Sequence, residues 1–186
     1  MTTLTIERAQ VDEIGSTRVP GLLCLWAGVL GLVSGVFLTV VSPAVDDDRY
    51  SYPLTAVGFV LIQTWFVIQH LGLAAGLVGL RRSAAVGARR VGVTVAIVGM
   101  GLLTATELAA IGAARSRYPG PGTGLLDALY GVSSVAIGIG LVGVGVAVLR
   151  AEVWRGWRRW LPFALGVYVF VPMFPAMFGG FLPARL

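Results

Sequence analysis

The sequence predicts an all-α integral membrane protein, a bundle of five transmembrane helices with the N-terminus cytoplasmic and the C-terminus outside. Three observations lead there. The 186 residues are 56% hydrophobic and only 12% charged, where soluble domains carry about 25% charged residues. Five apolar runs are each long enough to cross a hydrocarbon core at about 1.5 Å of rise per residue. The arginines also collect on alternate connections between those runs.

Residues 1–19 read as a short polar tail of mixed charge, with Glu7, Arg8, Asp12, Glu13 and Arg18. Ile6, Ala9, Gln10 and Ile14 suit a weak amphipathic turn on the membrane surface, with disorder the alternative. The tail lacks the basic start of a signal peptide, and the apolar run after it is too long for one. Residues 20–186 read as a single transmembrane domain with spans at about 21–45, 53–80, 91–113, 124–149 and 161–183.

Pro20 suits the start of the first span. Ala27, Gly31 and Gly35 lie four residues apart on it, a small-residue seam that lets another helix come close. Asp46, Asp47 and Asp48 lack the spacing of a cation site and read as a solvated loop. The second span, with Ser51 as its expected cap, places Gln63, Phe66, Val67, His70 and Ala74 on one face, flanked by Trp65 and Gln69. Gly72 and Gly76 form a second packing pair.

After the loop Arg81 to Arg90, the third span carries Met100, Thr104 and Glu107 on one face. Arg115 to Thr123 is rich in proline and glycine and reads as a turn. The fourth span begins with Asp127 and Tyr130, then runs through Ser133, Ser134, Gly138, Gly140, Gly143 and Gly145, the composition of a closely packed central helix. Between Arg150 and Trp160 lie four arginines and three tryptophans spaced by three, the composition of an interfacial turn or short helix. In the fifth span Pro172 and Pro175 predict a kink or break, a candidate gate, with the carbonyls of Tyr168 and Val171 released from the helix.

The arginines set the orientation. With the N-terminus inside, ten of the 14 lie on the inner side, while Arg49, Arg115, Arg117 and Arg185 lie outside. Arginine use without any lysine resembles that of GC-rich bacterial genomes, which places the expectation in a bacterial plasma membrane.

Composition also excludes chemistry. Without lysine no retinal or pyridoxal Schiff base forms, and the single Cys24 rules out an internal disulfide or a cysteine-ligated metal. The net charge of +5 sits at span ends, so it reads as topology and contact with anionic lipid rather than nucleic-acid binding. No catalytic, phosphate-binding or zinc motif appears, so an enzyme is not expected. His70 is the one candidate cofactor ligand, but a bis-histidine haem would need a second chain, and Met100 or Met173 are the in-chain axial alternatives. The packing reading prevails, and neither cofactor nor metal is expected.

Glu107 is the one carboxylate well inside a span, so it must be protonated, partnered or exposed to water. Depths counted from each span's midpoint put Glu107 roughly 7 to 8 Å outside the midplane, Gln63 roughly 5 Å outside and Asp127 roughly 14 Å outside. They make a candidate polar pocket of Glu107, Thr104, Gln63, Asp127 and Tyr130. The same count leaves His70 about 5 Å inside and apart from the group. The expectation is a non-catalytic structural or partner-binding subunit, in contact with lipid and assembled with itself or a membrane partner. The alternative is a proton-linked transporter or small-ligand binder using the pocket around Glu107.

Overall fold

A computed structural model describes the backbone of residues 2–87 and 89–173, and the side chains from Thr17 to Val171 apart from Ala88. The regular elements among the described residues are all helices: α1 (Thr2–Val40), α2 (Ala56–Arg82), α3 (Val91–Gly112), α4 (Thr123–Ala151) and α5 (Leu161–Tyr168). Short 3₁₀ turns occupy Ala84–Val86 and Gly156–Trp160, and a π turn follows α5 at Val169–Met173. Among the described residues, four helices are long and apolar enough to cross a membrane: Thr17–Val40 of α1, then α2, α3 and α4. The fifth expected span is described only as far as Met173; its remainder, Pro175 and the side occupied by the C-terminus lie outside the described residues.

Several boundaries differ from the sequence reading for local reasons. The helix of the first span begins within the expected polar tail, at Thr2, and runs through Pro20. A proline there gives up one hydrogen bond to the preceding turn, and the carbonyl it frees, that of Ser16, lies just before the apolar stretch that begins at Thr17. The same helix stops at Val40 rather than near Val45, because Pro43 disfavours helical backbone at Ser42. At α2 the cap is Thr55 rather than Ser51: its Oγ1 accepts the Gly58 N–H at 3.2 Å, while the Ser51 carbonyl accepts Leu54 N–H in the turn before it. Around Pro172 the helix widens into a π turn, which accommodates a residue that has no N–H and crowds the carbonyl four positions earlier.

Each helix packs against its neighbours in sequence, and among the described residues α1 packs on α2 alone of the helices. The pairs are antiparallel, and glycines set their separation. On α2, a Cβ added at Gly72 would stand 2.8 Å from that of Ala27, and one at Gly79 would stand 2.8 Å from that of Pro20. Between α3 and α4, a Cβ at Gly99 of α3 would meet the Ile137 backbone nitrogen at 2.9 Å, and one at Gly140 of α4 would collide with the backbone of Ala96. On α4, Gly145 faces Phe163 and Gly138 faces Phe170 in the same way. The α4 glycines thus serve two seams, which makes α4 the closely packed helix expected from its composition.

Two apolar clusters hold α2, α3 and α4 together. One, at the arginine-rich end, joins Leu77, Ala85, Val86, Val93, Met100, Val144 and Val148, with Trp154 against it. The other joins Tyr50, Phe59, Ala110 and Ala114, with Tyr118 and Tyr130 against it. Tyr50 sits at its centre, fully buried, edge-on to Phe59 at 5.7 Å between ring centroids. The loops before α2 and before α4 dock there: Tyr50 N–H donates to Ser116 and Tyr118 N–H donates to Asp48.

Candidate functional site

Between the two apolar clusters, polar side chains pair across the helix seams. His70 of α2 and Glu107 of α3 are joined by a hydrogen bond, Nδ1 to Oε2, of 2.8 Å. Glu107 is 2% exposed, while the His70 side chain keeps 21% exposure and has the Phe66 ring 6.5 Å away. The pair is net neutral when it holds two protons, as imidazolium with carboxylate or as imidazole with carboxylic acid. A hydrocarbon surrounding favours that neutral state over an unpartnered charge.

Two further pairs use the same helix. Gln63 donates through Nε2 to the Tyr130 hydroxyl of α4 at 2.8 Å, and Gln69 donates to the Ser34 hydroxyl of α1 at 2.9 Å. Gln63, Gln69 and Ser34 are buried. Helix α2 therefore carries one polar link to each of α1, α3 and α4.

The expected five-residue pocket is divided by this arrangement. Gln63 and Tyr130 meet each other, and Glu107 meets His70 instead. Gln63 and His70 are seven residues apart on α2, so their links are separated by roughly 10 Å along the helix. Thr104 turns back on its own helix, donating to the Met100 carbonyl, and Thr106 does the same to Leu102. Asp127 has no hydrogen bond or ion pair among the described residues. It stands in the second turn of α4, because that helix begins at Thr123, so the helix dipole acts on it less than a first-turn position would imply. No group of three or more metal-ligating side chains occurs among the described residues.

No known family model, curated protein or solved structure matches this chain.

The separation of His70 from Glu107 expected from sequence is wrong, and the reason is geometric. Register in an antiparallel hairpin is fixed at the connecting loop, not at the midpoint of each span. Counted from Arg82 and Val91, His70 rises about 18 Å and Glu107 about 24 Å. Helical side chains lean toward their own N-terminus, so in antiparallel helices these two lean toward one another and close the difference. The Ser34–Gln69 link was also missed. Its signal was available: Ser34 is seven residues beyond Ala27 and four before Leu38, and these three form the buried stripe of α1.

Two surface grooves accompany these pairs. An apolar one of about 630 Å³ runs along α3 and α4 past Val95, Val132 and Ile139. Another, of about 520 Å³, lies beside Asp46, Arg49 and Arg115 at the loops. Glu107, His70, Gln63 and Thr104 line neither. What the three polar pairs do chemically is fasten helices: each donor or acceptor faces another protein group across a seam.

Proposed function

We propose that this chain is a non-catalytic subunit of a bacterial plasma membrane, with five spans, a cytoplasmic N-terminus and an outer C-terminus. It holds a helical scaffold together and binds itself or a membrane partner. The observation that carries this reading is the pairwise use of the intramembrane polar groups. Ser34, Gln69, His70, Glu107, Gln63 and Tyr130 all join helices to one another. A partner would meet α1, which among the described residues packs on α2 alone of the helices and has nothing within 4 Å of a Cβ added at Gly28 or Gly35. Native mass spectrometry of gently extracted protein tests this. The expected result is a mass above the 19.5 kDa chain, reduced to one chain by Gly28→Leu with helix content retained. A monomer in the unmodified protein, with no bound partner, overturns it.

The second reading is a proton-linked transporter or small-ligand binder around Glu107. It draws on the contact of two proton-carrying side chains inside the span, Glu107 and His70, joined at 2.8 Å. Under it, Glu107→Gln abolishes uptake driven by a pH gradient while the fold survives. Full uptake by that variant refutes it.

A further inference from the structure

The two ends of the molecule treat charge differently. At the end holding the loops before α2 and α4, three aspartates (Asp46, Asp47, Asp48) match three arginines (Arg49, Arg115, Arg117). Asp48 approaches both Arg49 and Arg117 at 3.8 Å. At the other end, residues 81–90 and 150–160 carry eight arginines and one carboxylate, Glu152. All eight are exposed, and none forms an ion pair with a described carboxylate.

These two arginine segments are brought together by packing. The 3₁₀ turn Ala84–Val86 buries Ala85 and Val86 in the cluster that contains Ala147 and Val148 and borders Trp154. Arg81, Arg82, Arg89 and Arg90 therefore flank this apolar pin from one side, and Arg150, Arg155, Arg158 and Arg159 from the other. In the 3₁₀ turn Gly156–Trp160, residues three apart eclipse, so Trp157 and Trp160 share one side, with Arg158 and Arg159 between them in sequence. Trp157 is 69% exposed and Trp160 49%, and the Arg159 guanidinium lies 5.8 Å from the Trp160 ring centroid. Exposed indoles beside unpaired guanidinium groups fit the boundary where acyl chains meet phosphates.

We propose that the two arginine segments, pinned together at Val86 and Trp154, form one binding surface for the phosphate headgroups of anionic phospholipids. The tryptophans of the 3₁₀ turn seat the adjoining glycerol and acyl region. The inference needs the chain to sit in a membrane but does not depend on the subunit reading, so failure of either leaves the other standing.

Tryptophan quenching tests it on the full-length protein. The protein is reconstituted in phosphatidylcholine vesicles holding an equal minor fraction of either brominated phosphatidylglycerol or brominated phosphatidylcholine. The brominated anionic lipid should quench more strongly, and its excess should shrink as salt is raised. Neutralising Arg155, Arg158 and Arg159 to Gln, or Arg81, Arg82, Arg89 and Arg90 to Gln, should weaken the preference by about fivefold per guanidinium removed at low salt. Circular dichroism confirms that each variant is folded, and the salt series on the unmodified protein needs no variant. Equal quenching by the two lipids, an excess indifferent to salt, or one that survives both sets of substitutions overturns the proposal.

Discussion

Removing the imidazole of His70 leaves a carboxyl group 2% exposed with nothing at the position 2.8 Å from its Oε2. Glu107 then lacks its one bond across the seam, and an unsatisfied buried polar group costs about 1 to 3 kcal/mol. Hydrogen bonds between membrane helices average nearer 0.6 kcal/mol, because the unfolded chain in lipid also finds partners. His70→Leu should therefore destabilise by about 0.6 to 3 kcal/mol. Glu107→Leu leaves the imidazole without that bond in the same hydrocarbon surrounding and should cost a similar amount. The double variant should recover most of the loss, because replacing both partners with apolar groups of similar size is nearly neutral. Unfolding of reconstituted protein by added SDS, followed by circular dichroism, gives all four corners of the cycle. A coupling energy below about 0.5 kcal/mol, the range of independent sites, would refute the idea that the pair fastens α2 to α3.

Other seams give sharper contrasts. Gly140→Leu, which drives a side chain into the Ala96 backbone, should cost about 3 kcal/mol or more. Gly101→Ala, where nothing lies within 4 Å, should be neutral or stabilising by up to about 1 kcal/mol; thermal unfolding in the same detergent compares the two. Thr55→Ala removes the α2 cap and should cost about 1 kcal/mol in the same SDS titration. Tyr50→Ala empties the centre of the loop cluster and should cost about 3 to 5 kcal/mol. Asp48→Ala, by contrast, breaks only exposed contacts at 3.8 Å and should change stability by less than about 1 kcal/mol.

The four membrane-length helices are legible in the apolar runs and the breakers between them. Length against the hydrocarbon thickness is a one-dimensional property, and the sequence contains it fully. The glycine spacing also marks which helix is most closely packed. Less legible is what depends on a second element. Thr55 caps α2 because the chain turns at Ser51 to Leu54 first, and Tyr50 is buried because a loop from beyond α3 folds over it. Partner choice among polar residues is the least legible of all. Gln63 and His70 both lie on α2 within two turns of one another, each in a plausible register for Glu107, and the loop between α2 and α3 decides which one meets it.

That register has a consequence for how the bundle comes apart. Helices α2, α3 and α4 share two apolar clusters and two polar links, but α1 is held by the glycine notches of α2 and the Ser34–Gln69 link. Lipid can replace the apolar contacts of α1 at little cost, since acyl chains are as apolar as its leucines. What lipid cannot replace is the bond at Ser34, nor the close backbone approach at Gly72 and Gly76. Local opening should therefore begin at α1, and amide exchange in bicelles should be faster there than in α3 or α4. Gln69→Leu should raise α1 exchange alone. If α3 exchanged equally fast in that variant, α1 would be an integral part of the core rather than a helix clipped onto it.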